Sequence, residues 1–317
     1  MRQFILLTLL FASCGAAEKS EAVLYEDISL KVEEYSSEKC LNIAFSEEQE
    51  FISSWKKLFY REKNKGEFQT SPITFKGIHA TIYNPNDQKY YAVDSDQGCL
   101  VMFDNLADSN GIEKIKTMAG MQLIRPHDLV YDTASGFVYM LDAKTATIFR
   151  FNSVGQNESY MEISEKGYFR GLAMVDSKLY VTHSTNGIVL EIDNFENAQF
   201  TRHISSGKKA NHRFGSWEKS GLILNDIEFY NGEWYATNYF DFKTHPDVDN
   251  INKNKLIRFK DWSDFENGSW TDISYVLPDT LIPYNFCVKD ESLFLATFPG
   301  GRKWSGGGVL KLTSIKK

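Results

Sequence analysis

The chain has 317 residues, a formal net charge of −7 and an aromatic content of 14%, with 23 Phe and 16 Tyr. That length suits one large core, and so many wide, flat side chains suit strands packed face to face. An acidic chain without an Arg-rich tract has no general attraction for phosphate backbones, so nucleic acid is not an expected partner.

Residues 1–17 read as a targeting segment. Arg2 gives a positive start, Phe4 to Ala12 is an apolar run too short to span a bilayer, and small residues follow to Ala17. The stretch Leu10-Phe11-Ala12-Ser13-Cys14-Gly15 resembles a bacterial lipobox, in which Cys14 becomes the lipidated first residue. The alternative is ordinary cleavage near Ala16 or Ala17. Either way the protein is expected to be exported. It is then lipid-anchored in the cell envelope (outer membrane or periplasm) or secreted, with the membrane touched only through that anchor.

Residues 18–70 read as an N-terminal extension. Ile28 to Val32 and Cys40 to Phe45 look like strands, and Glu47 to Tyr60 looks like a helix with Ser46 as its N-cap. Three cysteines follow Cys14. Cys99 and Cys287 fall in strand patterns and are expected as buried thiols, while Cys40 could staple the extension to the rest.

Residues 71–317 contain a repeat. A Tyr followed two residues later by a small or branched residue and then a polar one recurs at Tyr91-Ala92-Val93-Asp94, Tyr139-Met140-Leu141-Asp142, Tyr180-Val181-Thr182-His183 and Tyr235-Ala236-Thr237-Asn238, with a degenerate copy at Leu295-Ala296-Thr297-Phe298. Each copy is preceded by an apolar run (His79 to Tyr83, His127 to Tyr131, Arg170 to Met174, Asn225 to Phe229, Tyr284 to Val288) and followed by a third run and usually a weaker fourth. Four strands every ~40–60 residues is the period of a β-propeller blade. The pattern predicts an all-β propeller with five recognisable four-stranded blades, six if residues 22–70 form another. Ser71 to Phe75 is the expected closing strand.

The first strand of each blade lines the channel, and the second runs antiparallel to it. First-strand starts and second-strand ends therefore meet at one channel mouth. The starts supply His79, His127, Asp128, Arg170, Asn225, Asp226, Tyr284 and Asn285, and the ends supply Asp94, Asp142, His183 and Asn238. Asp and Asn oxygens can hold calcium, and His beside a carboxylate can act as a general base. Strand-end Asp94 and Asp142 have a structural alternative, accepting backbone N–H groups of the next turn, and His183 shares their repeat position. His203, His212 and His245 are expected to be solvated. Ser205 to Gly221 reads as a lid or a loop, and Phe298 to Gly308 as a flexible turn.

One blade carries a family likeness. Leu224-Asn225-Asp226-Ile227 followed by Trp234-Tyr235-Ala236-Thr237-Asn238-Tyr239-Phe240 resembles the calcium-dependent propellers of the paraoxonase and gluconolactonase type. The resemblance implies calcium as cofactor, with Asn225 and Asn285 as ligands and Asp226 as a further candidate. It also implies catalytic or second-shell histidines near the channel, which His79 or His127 would match. Two functions follow as expectations. One is hydrolysis of small esters or lactones, with His127, oriented by Asp128 or Asp142, activating water. The other is a non-catalytic propeller that binds a small molecule or an envelope protein. A glycosidase using Asp128 and Asp226, with Glu228 as the acid, ranks behind both.

Overall fold

A computed structural model describes residues 22–63, 65–165, 167–184, 187–205, 222–238, 255–278, 281–299 and 307–315. The expected targeting segment, His212, His245, most of Ser205 to Gly221 and most of Phe298 to Gly308 lie outside the described residues.

Among the described residues, six antiparallel sheets of four or five strands make up the ring, beside a two-stranded ribbon of Thr117–Met118 and Met121–Gln122. Their first strands are Asn42–Phe45, Ile78–Asn84, Pro126–Asp132, Phe169–Val175, Leu224–Tyr230 and Leu281–Lys289. Each lies against the next, and the last lies against the first. This is a six-bladed β-propeller, and the blades are numbered here in that order.

The repeat has a packing logic. Along a strand, alternate side chains reach opposite faces, so each blade offers one face to each neighbour. The motif tyrosines use this to cross to the following blade. Tyr91 meets Phe151 with ring centroids 5.8 Å apart, Tyr180 meets Trp234 at 5.0 Å and Tyr235 meets Phe286 at 6.5 Å. The apolar cores accordingly sit in the wedges between blades. Blades 1 and 2 share one around Phe51, Ala92 and Phe103, blades 2 and 3 one around Tyr91, Leu129 and Phe149, and blades 6 and 1 one around Ile43, Ile52 and Phe294. Burying such a side chain stabilises the fold by roughly 1.5–3 kcal/mol.

The N-terminal segment departs from its expected form. Residues 42–70 make blade 1, with strands at Asn42–Phe45, Gln49–Ser54, Lys57–Glu62 and Gln69–Thr70. The expected helix at Glu47 to Tyr60 is therefore two strands and their hairpin. Ser46 does make a cap-like bond, its Oγ accepting from the Gln49 N–H at 2.9 Å, but that turn joins strands. Alternation decides the matter. Phe51 and Leu58 enter one wedge, and Ile52 and Phe59 enter the other.

The closing strand is likewise not Ser71 to Phe75, whose Ile73 and Phe75 instead fill the wedge between blades 1 and 2. Leu30–Ser36 closes the ring, pairing antiparallel with Gly308–Ser314 from Leu30 opposite Ser314 to Ser36 opposite Val309. Val23–Tyr25 adds an outer fifth strand to blade 6. The α-helix among the described residues, Trp262–Asn267, lies on blade 5 between Asp261 as N-cap and Gly268 as C-cap.

Candidate functional site

Blades 2 to 6 share a local irregularity at the channel mouth. The register of first against second strand slips between Ile78 and Ala80, Pro126 and Asp128, Phe169 and Leu172, Leu224 and Asp226, and Pro283 and Phe286. Such a bulge releases a residue from the ladder and re-aims its side chain. The released residues are His79, His127, Arg170 with Gly171, Asn225, and Tyr284 with Asn285. Together with Asp128 they line one axial cavity of about 10 Å³, which is room for about one water. Thr182 and Thr237, third in their motifs, stabilise two of the bulges. Each hydroxyl accepts a first-strand N–H (Gly171 at 2.8 Å, Asp226 at 3.0 Å) and donates to a carbonyl of the next blade (Asn225 at 2.8 Å, Tyr284 at 2.9 Å).

The aromatic part of the site is a short chain. The rings of His79 and His127 lie 4.3 Å apart, and the Tyr284 hydroxyl sits 3.0 Å from His79 Nδ1 and 3.5 Å from His127 Nε2. His127 Nδ1 is 2.8 Å from the Arg170 carbonyl oxygen and donates to it. Tyr168 stands beside them, with Arg170 5.3 Å and Arg125 5.6 Å from its ring. Burial, followed by the charges of Arg125 and Arg170, holds His79 down to about 3. Burial, then His79 and Arg170, holds His127 well below its ordinary range. Both rings are neutral at physiological pH.

Asp128 and Asp226 lie beneath this layer and serve the backbone. Asp128 accepts from Leu129 N at 2.9 Å and, across the blade boundary, from Leu172 N at 2.7 Å. Asp226 repeats this with Ile227 N at 2.9 Å and Phe286 N at 2.7 Å. Asn42 makes the equivalent crossing from blade 1, accepting from Thr81 N at 3.2 Å. Blades 1, 3 and 5 are thus each tied to the following blade, a three-fold pattern inside a six-bladed ring. Burial pushes Asp128 up to about 7, burial and then the Asp128 charge raise Asp226 well above the usual carboxylate range, and burial lifts Glu228 to about 7. Asp128 and Asp142 do not orient His127, as the sequence suggested; the Arg170 carbonyl does.

The strand-end residues take their structural alternative. Asp142 accepts from the N–H groups of Ile124, Arg125, Lys144 and Thr145 at 2.7, 2.9, 3.0 and 3.2 Å. Asp94 does the same for Lys76, Gly77 and Gln97 at 2.8, 2.9 and 3.2 Å. Asn238 accepts from Ile223 N at 2.6 Å. His183 is fully buried, edge-on to Phe169 with ring centroids 4.6 Å apart. His203 is on an outer strand as expected, but it is not solvated. It stacks on Trp262 at 4.0 Å between Glu191 and Glu266. Cys40, Cys99 and Cys287 are free thiols, so Cys40 staples nothing.

The residues expected to hold calcium do not fit it. Asn225 Oδ1 accepts from the Arg170 guanidinium at 3.0 Å, so a cationic group already lies against that oxygen. Asn285 Oδ1 takes the Asn42 amide at 2.9 Å, and both Asp226 oxygens hold backbone N–H groups. Calcium needs six to eight oxygens, and these are already committed. Asn225 Nδ2, in contrast, is a buried donor that meets no acceptor among the described residues.

No protein-family model and no curated protein matches this chain. Solved structures do. An auxiliary nutrient binding protein from Bacteroides thetaiotaomicron superposes with a TM-score of 0.60 at 10% identity, over 89% of this chain and 70% of its own. A catalytically inactive virginiamycin B lyase from Staphylococcus aureus, a histidine-to-alanine variant with quinupristin, gives a TM-score of 0.55 at 11% identity over 93% of this chain and 99% of its own. YCF48 bound to a D1 peptide gives 0.54 at 10% identity over 94% and 100%. At such identities the likeness shows the propeller fold alone. Lyases and binding proteins both use it.

Proposed function

We propose that this chain is an exported propeller that binds a small polar molecule at the axial mouth through side chains alone. One observation carries the reading. Bulges in five successive blades aim His79, His127, Arg170, Asn225 and Tyr284 at one cavity, and Asn225 Nδ2 waits there as a buried donor. A buried polar group without a partner costs about 1–3 kcal/mol, which a ligand oxygen can recover. Export rests on Arg2 and the apolar run from Phe4 to Ala12, with a lipid on Cys14 or plain cleavage as the two outcomes. Binding through side chains is preferred to the metal-dependent hydrolase, because the oxygens that a calcium ion would use already accept hydrogen bonds within the protein.

The test is thermal unfolding of the mature protein against sugars, polyols, hydroxy acids, lactones and short esters, with turnover followed in parallel. Molecules that bind at the mouth stabilise the wild type and not Asn225→Leu. Stabilisation equal in both proteins would move the site elsewhere. Turnover of a lactone or ester lost in His79→Ala would restore the enzyme reading. Specific capture of an envelope protein, unaffected by the same substitutions, would favour the protein-binding alternative.

A further inference from the structure

The hydrogen-bond chain at the mouth fixes where its protons lie. The Arg170 carbonyl can only accept, so the proton of neutral His127 is on Nδ1 and Nε2 carries the lone pair. The Tyr284 hydroxyl faces that nitrogen and donates to it. Its oxygen is then an acceptor for His79 Nδ1, 3.0 Å away. The reverse direction would set the phenol oxygen and His127 Nε2 against each other with no proton between them. One neutral tautomer of His79 remains, with the proton on Nδ1 and the lone pair on Nε2.

We infer that Tyr284 and His127 are positioning residues that hold His79 with its Nε2 lone pair available at the axial cavity, and that the ligand binds there through a hydroxyl group. The inference rests on the binding role proposed above and names the ligand class. The mouth offers an acceptor, His79 Nε2, and a donor, Asn225 Nδ2. An alcohol satisfies both, giving its proton to one and its oxygen to the other, whereas a carboxylate, although the Arg170 guanidinium on the same wall would attract it, brings no proton for the His79 lone pair. Depressed basicity reinforces the point, since a histidine that stays neutral keeps its acceptor at every physiological pH. A polyol or sugar carries such a hydroxyl, and a cavity with room for about one water admits that group while the rest of the molecule stays outside it.

The experiment has two arms. In the first, protein with ¹⁵N-labelled histidine is read by long-range nitrogen–proton correlation, which separates the tautomers. His79 and His127 should both show the Nδ1–H form. Tyr284→Phe should leave His127 unchanged and release His79 from that single form. An Nε2–H form of His79 in the wild type would overturn the inference. In the second arm, D-sorbitol and succinate are titrated into the wild type, His79→Phe, Asn225→Leu and Tyr284→Phe. Sorbitol should bind the wild type, weaken about tenfold or more in His79→Phe and less in Tyr284→Phe, in keeping with the loss of one hydrogen bond. Succinate should not bind. Absence of sorbitol binding, or succinate binding that survives His79→Phe but not Asn225→Leu, would overturn the hydroxyl assignment while leaving the mouth as a binding site. Sorbitol binding indifferent to all three substitutions would overturn the binding role itself.

Discussion

Asp94 and Asp142 end the second strands of blades 2 and 3, and Asp128 and Asp226 stand at the starts of the first strands of blades 3 and 5. All four are buried. Their surroundings separate them. Asp94 and Asp142 are each wrapped by the N–H groups of two loops, so that the carboxylate takes the place of a missing strand. Asp128 and Asp226 each accept two N–H groups, and burial raises their basicity. The first pair shapes the loops, and the second ties blade to blade. The first pair takes the turn-capping role that its repeat position offered, whereas the second takes one that the repeat did not suggest, because geometry rather than residue type decides what a carboxylate can reach.

The comparison breaks most visibly at Asp142. Asp142→Ala leaves the N–H groups of Ile124, Arg125, Lys144 and Thr145 without their acceptor. Chemical denaturation should show a loss of about 3–5 kcal/mol. A loss under 1 kcal/mol would mean that the loop holds without it.

Asp128 tests the other pair through pH. Its carboxyl titrates at about 7 in the fold and at about 4 in the unfolded chain. Between those values the unfolded chain has released the proton and the folded chain has kept it, so stability falls as pH rises. Asp128→Asn keeps one acceptor and removes this slope. From pH 5 to pH 8 it should gain on the order of 2–3 kcal/mol relative to wild type, measured by urea unfolding. His79, held at about 3, contributes the opposite slope between about pH 3 and 6.5, and His79→Ala should flatten that acid limb.

Gly171 sharpens the comparison at the bulge. A Cβ there would collide with the Asn225 carbonyl and come within 2.9 Å of Asp226 Oδ1. Gly171→Ala should cost about 1–3 kcal/mol by overpacking, and it should weaken ligand binding at the mouth, read by denaturation and calorimetry. The smallest effect concerns metal. EGTA should leave the melting temperature unchanged, because the oxygens a calcium ion would use are bonded within the protein. A drop of several degrees on chelation would reopen the calcium reading.

Much of this site was legible in the sequence. The repeat placed His79, His127, Arg170, Asn225, Tyr284 and Asn285 at strand starts, and all of them reach the axis. The bulges that aim them were not legible, since no residue pattern marks a one-residue slip in register. Tyr168 and Arg125 were missed because each stands one residue before its blade's first strand, equivalent positions that lie just outside the apolar runs. Blade 1 was hidden for a different reason. Its second strand, Gln49–Ser54, lacks the Tyr that crosses to the next blade, so it left no periodic mark. The charged ends of its strands and the cap-like bond of Ser46 imitated a helix start. Local signals were read correctly there, and long-range wedge packing outweighed them.

Leu30–Ser36 and Gly308–Ser314 are neighbours in one sheet although nearly the whole chain lies between them. During synthesis the middle blades can form in order behind the ribosome. Leu30 and Val32, however, must wait, with their apolar sides uncovered, until Leu310 and Leu312 emerge. So distant a pairing is slow to close, and the waiting strand is an invitation to pair with another chain. The last strand therefore works as a timing device. Arrival of Gly308–Ser314, rather than assembly of any single earlier blade, ends the exposure of Leu30–Ser36 to aggregation and proteolysis.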